Sequence, residues 1–119
     1  MKRVVIESPY AGDIETNTAY ARRCFRHSLD LGEAPLASHL LYPQVLDELK
    51  TEDRRLGILC GIKWLEQADF QVFYTDLGWS LGMRAALDAG RQMGIFQRFR
   101  ALDGVPTIPE ETNYEIYRV

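Results

Sequence analysis

The sequence has few of the residues from which metal and redox sites are built. Its two cysteines, Cys24 and Cys60, and its two histidines match neither a CxxC motif nor the Cys/His spacing of a zinc site. We therefore expect no metal and no cofactor, and two buried free thiols in a reducing compartment.

Long apolar runs and an excess of positive charge are also missing. No stretch approaches the ~20 apolar residues that span a bilayer, and Met1–Glu7 lacks the apolar length of a signal peptide. The chain has 14 basic and 17 acidic residues, so its net charge of −3 gives no electrostatic footprint for nucleic acid. These absences predict a cytoplasmic protein whose partners are neither membranes nor nucleic acids.

The common enzyme fingerprints GxSxG, P-loop and GxGxxG do not occur. What the 119 residues do contain is 46% hydrophobic side chains in two alternating patterns. Short β-rich runs alternate with stretches of helical period, which predicts a parallel sheet covered on both faces. The expected strands are 3–7, 35–38, 70–74 and 95–100, and the expected helices are about 16–31, 51–67 and 80–93.

These elements predict a flavodoxin-like, three-layer α/β/α fold with a parallel sheet of four to five strands in the order 2-1-3-4. We expect one domain over residues 1–103. A C-terminal extension, residues 104–119, would pack on this domain or on a partner, with Tyr114–Val119 as a possible fifth strand.

The second helical pattern makes specific predictions. Thr51 is the expected N-cap, and Gly57 and Gly61 would allow close approach of the helix to the sheet. Trp64 is expected in the core. The predicted apolar stripe consists of Leu56, Leu59, Cys60, Ile62, Trp64 and Leu65.

The most informative stretch is Tyr74–Ala86, in which an apolar strand leads through a glycine-bearing turn into a helix. Open α/β sheets bind ligands at the carboxyl ends of their strands. With Ser80 as N-cap, the free N–H groups of the helix suit an anion, often phosphate. The alternative is a plain strand–helix connection with a capping serine.

Three loops are expected to converge at this edge of the sheet. Their polar and aromatic side chains suit a small ligand with a π face and hydroxyl or phosphate groups. The candidates are Ser8, Tyr10, Asp13, Asn17, His39, Tyr42, Gln44, Asp76, Trp79 and Ser80.

Several of these candidates have structural alternatives. Asp13 could begin the first helix, His39 could be a structural hydrogen-bonding group, and Asp76 could orient its turn. Trp79 could cover a ligand or anchor an interface. Glycosidic chemistry commonly uses two carboxylates, and only Glu7, Asp13 and Asp76 are expected near the edge.

Four segments carry a family resemblance: Glu7–Asp13 (ESPYAGD), His39–Tyr42 (HLLY), Glu52–Ile58 (EDRRLGI) and Tyr74–Arg84 (YTDLGWSLGMR). They resemble a small uncharacterised family of phage and bacterial proteins, which is in turn similar to the nucleoside 2-deoxyribosyltransferase-like superfamily. The resemblance covers roughly residues 3–100.

This resemblance implies a flavodoxin-like sheet, a nucleoside or nucleotide ligand and a homodimer or higher homo-oligomer. It implies that the first loop, with Gly12, lies against sugar and phosphate, and that Ser80, before Gly82 and Met83, lies against phosphate. The superfamily pattern places a catalytic glutamate three residues after that methionine, where this chain has Ala86.

Three hypotheses follow for function. The first is a nucleotide-binding protein that sequesters or senses its ligand without turnover. The second is an N-glycosidic hydrolase or transferase that uses Asp13 and Asp76, with Glu7 as a further candidate acid. The third is a structural or adaptor protein that has kept the fold alone.

Overall fold

A computed structural model describes residues 1–109. Its strands and helices, in chain order, are β1 (Arg3–Glu7), α1 (Ile14–Asp30), β2 (Ala34–Leu36), α2 (Thr51–Leu65), β3 (Phe70–Tyr74), α3 (Leu81–Gln92) and β4 (Phe96–Arg100). Between β2 and α2 the chain forms two short 3-10 turns, Ser38–Leu40 and Tyr42–Gln44. The predicted segment Tyr114–Val119 lies outside the described residues.

The strands form one parallel sheet in the order β2-β1-β3-β4, as predicted. Val5 is the register partner of Leu36 in β2 and of Gln71 in β3, and Gln71 is the partner of Gln97 in β4. The order reverses direction between β1 and β3, so the loops that follow these two strands flank the switch point of the sheet.

Each face of the sheet has its own apolar core, because alternate residues of a strand point to opposite faces. On the first face, Ile6 and Val72 pack with Tyr20 and Cys24 of α1. On the opposite face, Phe73 packs with two residues of α3, Met83 and Leu87. Every residue of β3 is buried, as expected for a central strand covered on both faces.

Asp13 begins α1, which confirms its structural alternative. Its carboxylate accepts hydrogen bonds from the backbone N–H and the side-chain hydroxyl of Thr16. These bonds hold the pKa of the Asp13 carboxyl below its usual value. The cap satisfies one of the free N–H groups of the first turn, that of Thr16.

Helix α2 forms over nearly the predicted range, and Leu65 is buried as predicted, but the predicted N-cap and most of the predicted buried stripe were wrong. The residue at the N-cap is Lys50, without a side-chain cap, and Thr51 is already helical. Trp64 is 51% exposed, and Leu65 is the buried residue of the helix. The apolar spacing indicated a helix but not the direction of its larger side chains. Leu56, Leu59, Cys60 and Ile62, predicted to be buried with them, are exposed or half-buried.

The glycines of α2 also approach a different partner from the one predicted. The Cα of Gly57 faces Tyr42 and Leu46, and that of Gly61 faces Ser38. The close approach is therefore to the 3-10 turns and the segment after them rather than to the sheet.

The end of β2 also differs from its prediction. The strand ends at Leu36, because the chain turns into the first 3-10 segment at Ser38. Within residues 1–109, no helix has both the length and the apolar character needed to cross a membrane.

Candidate functional site

Ser8 and His39 join the first two loops at the carboxyl edge. The Ser8 hydroxyl and His39 Nε2 are 2.7 Å apart and share a hydrogen bond. Burial lowers the pKa of the imidazole to about 4, so the ring is neutral at pH 7. Pro9 follows Ser8 and has no backbone N–H, whereas α/β-hydrolases use that N–H in their oxyanion hole. The bond joins the loop after β1 to the loop after β2, and Pro9 supplies no such N–H.

Glu7, the last residue of β1, points to the face covered by α3. Gln71 Nε2 donates to Glu7 Oε2 at 2.8 Å and to the Ala86 carbonyl at 3.1 Å. This shared donor places the carboxyl group beside the first half of α3. Burial raises its pKa to about 7, although the bond from Gln71 acts in the opposite direction. Glu7 can therefore exchange a proton near neutral pH, as a general acid or base must.

Glu7 lies next to a ladder of two hydrogen-bonded amides, the buried Gln71 and the half-buried Gln97. Gln97 Nε2 donates to Gln71 Oε1 and to the Leu87 carbonyl, both at 2.9 Å. A Cβ on Gly90 would lie 2.1 Å from Gln71 Oε1 and 2.7 Å from Gln97 Nε2, so any side chain at this position would displace the two amides. The ladder fixes Gln71 and, through it, one oxygen of the Glu7 carboxyl.

Asp76, after β3, is surrounded by donors. Its carboxylate accepts from the Tyr20 hydroxyl at 2.5 Å and from the backbone N–H groups of Leu102 and Asp103 at 2.8–3.0 Å. Burial alone would raise the pKa of Asp76, but these hydrogen bonds outweigh burial and lower it. The carboxylate thus fastens the segment after β4 to the end of β3.

Residues 101–109, which follow β4, cross this part of the edge. The Thr107 N–H donates to Thr75 Oγ1 at 2.9 Å, and Trp79 Nε1 donates to the Thr107 carbonyl at 3.3 Å. The Trp79 ring stacks on Phe73, with ring centroids 5.1 Å apart. The indole is thus part of the packing around the segment.

Ser80 is the N-cap of α3, as predicted. Its hydroxyl oxygen accepts from the Met83 N–H at 3.1 Å, so the hydroxyl proton is available to a further acceptor. A Cβ on Gly82 would meet only Ser80 Oγ, at 3.9 Å, so the backbone of this turn is open to close approach. Met83 itself is buried in the core against Leu87.

The remaining predicted site residues either hold the first loop in place or lie away from the carboxyl edge. Asn17 Nδ2 donates to the carbonyls of Tyr10 and Ala11 and so fixes the first loop. Gly12 has a positive φ of 99°, which other residues rarely adopt. Tyr42 lies against α2, where its hydroxyl accepts from Trp64 Nε1 at 2.7 Å, and Gln44 ends the second 3-10 turn.

Two residues of the site were missed from the sequence, Gln71 and Tyr20. Gln71 was included in an apolar strand. A glutamine inside a predicted central strand could have indicated a buried hydrogen-bonding group. Tyr20 belongs to the helical pattern of α1, but its contact with Asp76 links positions 56 apart in sequence. Among the described residues, no group of three or more His, Cys, Asp or Glu side chains could hold a metal ion.

A family model described as a domain of unknown function, DUF7768, matches residues 2–100. The chain belongs to this family. The match ends where β4 ends, so residues 101–109 of this DUF7768 protein lie outside it. A search of curated proteins found no match to the chain.

Among solved structures, the DUF7768 chain is similar to a 2-deoxyribosyltransferase from the psychrotolerant bacterium Bacillus psychrosaccharolyticus. The TM-score is 0.69 with 16% sequence identity, over 90% of this chain and 77% of that chain. This likeness confirms the predicted resemblance in fold, which is the flavodoxin-like α/β arrangement.

Proposed function

We propose that this protein binds a nucleotide or a nucleotide-derived molecule at the carboxyl edge of the sheet and sequesters or senses it without turnover. The observation that carries the proposal is the start of α3. Ser80 keeps a hydroxyl proton to donate, Gly82 leaves the backbone accessible, and the helix N-terminus favours an anion. The fold likeness to a 2-deoxyribosyltransferase supports a nucleoside-type ligand.

The absence of turnover rests on the carboxylates. The superfamily glutamate position is Ala86, whose methyl packs near the α3 core. Asp13 caps α1, and Asp76 anchors the segment after β4, so neither is free of a structural role. Without a carboxylate pair, the charge that develops on a sugar during glycosidic cleavage is not stabilised.

Ser80→Asp tests the anion site. Aspartate is also a good N-cap, so the helix should keep its start, while the new charge repels a phosphate. Thermal shift with nucleosides, nucleotides and cyclic dinucleotides should show stabilisation of the unmodified protein that Ser80→Asp loses. Thr51→Asp adds the same charge to the first turn of α2 and should bind normally. Normal binding by Ser80→Asp would place the anion elsewhere.

A specific observation favours the enzyme as the second candidate. Glu7 shares the Gln71 donor with the Ala86 carbonyl, so its carboxyl group lies close to where the superfamily glutamate would begin. Its pKa of about 7 suits a proton donor to a leaving base. In this alternative Glu7 joins Asp13 and Asp76 as a candidate acid in N-glycosidic cleavage or transfer.

Chromatography of nucleosides and nucleotides after incubation separates the two candidates. We expect no base release from the unmodified protein, and detectable hydrolysis from Ala86→Glu if the site is still arranged for chemistry. Base release that disappears in Glu7→Gln, Asp13→Asn or Asp76→Asn would establish the enzyme and refute the binding protein.

A further inference from the structure

Helix α2 is packed with its small residues towards the protein. Gly57 and Gly61 face the 3-10 region, and Leu65 at the end of the helix is buried. Its larger apolar side chains point outward: Leu56 is 49% exposed and Leu59 is 56% exposed. A helix that is apolar on its outer side as well is normally covered by another element, and among residues 1–109 nothing covers this one.

The outward side carries an ordered stripe. At 100° per residue, Glu52, Leu56, Leu59 and Lys63 fall within an arc of about 60°, roughly opposite Gly61. All four are exposed. The stripe therefore projects straight away from the body of the protein.

This stripe is complementary to itself. It is symmetric about the midpoint between Gly57 and Ile58, with a leucine at the same distance on each side. Beyond the leucines, it ends in an acid, Glu52, on one side and a base, Lys63, on the other. If two α2 helices meet antiparallel about a two-fold axis at that midpoint, leucines meet leucines and each acid meets the base of the partner.

We propose that α2 is a self-association surface, through which two copies of this chain pair their α2 helices antiparallel along the stripe of Glu52, Leu56, Leu59 and Lys63. The partner is a second copy because the stripe supplies both halves of the complementary pattern. Glu52 makes no ion pair within the described chain, and Lys63 pairs only with Glu66, at 3.3 Å on the surface.

The neighbouring surface extends the contact beyond the stripe. Val45 and Leu49, just before α2, are 86% and 95% exposed. In the antiparallel arrangement this end of one helix lies beside Trp64, at the other end of its partner. These exposed side chains add apolar area to the contact beyond the four residues of the stripe. This surface is independent of the proposed ligand, so either proposal can fail alone.

A matched pair of substitutions tests the surface. Ile58 is 56% exposed, as Leu59 is, but its side chain lies about 130° from the centre of the stripe. By analytical ultracentrifugation, Leu59→Glu should weaken the dimer about thirtyfold, as for an interface hot spot of ~2 kcal/mol. Ile58→Glu should leave its Kd within about twofold, since an exposed change off the contact has little effect. Both sites are exposed, so circular dichroism should show both variants folded.

Charge reversal tests the antiparallel direction. Glu52→Lys and Lys63→Glu should each weaken the dimer about fivefold, and the double variant should recover most of the loss, because it restores both pairs with their signs exchanged. An interface of ~1,000 Å² normally persists at a protein concentration of about 100 µM. If the protein is monomeric at that concentration, the proposal is overturned. Equal effects of Leu59→Glu and Ile58→Glu, or a double variant as weak as the single ones, would also overturn it.

Discussion

The two halves of the carboxyl edge use their polar groups differently. Where β3 and β4 end, Asp76, Thr75 and Trp79 are all bonded to residues 101–109; we call this the covered half. Where β1 and β2 end, Ser8 and His39 bond to each other and Glu7 is held by one oxygen; we call this the open half. The polar residues of the covered half hold the segment after β4, whereas those of the open half bond to each other or to the sheet. The proposed ligand site, at the start of α3, lies outside these bonds.

The largest expected effect belongs to the covered half. Asp76→Ala removes the acceptor for the Tyr20 hydroxyl and for two backbone N–H groups, so it should lower the free energy of unfolding by about 3 kcal/mol. Asp103→Ala is the control, because its surface pair with Arg23 is exposed and contributes little. Chemical denaturation should separate the two variants clearly. Similar stability of both would show that Asp76 is not an anchor.

Two titratable residues of the open half, Glu7 and His39, should make the stability of the protein depend on pH. The pKa of Glu7 is raised to about 7, so it contributes stability below pH 4.5 that is lost as the pH rises to about 7. The pKa of His39 is lowered to about 4, so its contribution is present above pH 6.5 and is lost as the pH falls to about 4. The two dependences oppose each other between pH 4.5 and 6.5.

Replacing either residue should therefore leave the pH dependence of stability that the other one causes, and the two dependences have opposite signs. Across that range, Glu7→Gln should make the protein more stable as the pH rises, and His39→Gln less stable, each by about 2 kcal/mol. Denaturation midpoints measured every half pH unit test this. Slopes of the same sign in the two variants would contradict the assigned pKa shifts.

The smallest effect tests the attachment of residues 101–109. Thr75→Val keeps the shape of a buried residue but removes the acceptor of the Thr107 N–H, so stability should fall by about 1 kcal/mol. Amide exchange at Thr107 should accelerate, while exchange in β1 stays unchanged. Unchanged exchange at Thr107 would mean that this bond does not hold the segment.

The fold could be predicted because its signals are local. The apolar runs of β1 and β3, the cap at Ser80 and the alternation of strands with helices each depend on neighbouring residues, and the handedness rule supplies the strand order. A parallel sheet brings the ends of its strands to one edge, so the sequence could predict that loop residues such as Ser8 and His39 lie close together. That these residues bind a ligand stays a prediction.

Contacts between distant elements could not be predicted in this way. The outward direction of Leu59 depends on Gly57 and Gly61 packing against the 3-10 turns, and periodicity does not say which side of an apolar helix faces the protein. The role of Asp76 depends on Tyr20 and Leu102, which are far from it in sequence. The raised pKa of Glu7 depends on its burial under α3. Its position at the end of a strand did not show which way its side chain points.

The amide ladder beneath α3 also restricts how the last strand can pair. Among residues 1–109, β4 is an edge strand of the sheet, and edge strands are prone to slip or to pair wrongly. A slip of one residue would turn Gln97 to the other face and bring Phe96 or Arg98 under the helix. Gln71 Oε1 would then lose its donor in a buried position. The buried Gln71 amide and its half-buried partner Gln97 thus favour one alignment of the outermost pairing in the described sheet, because a misaligned β4 would leave a buried polar group unpaired.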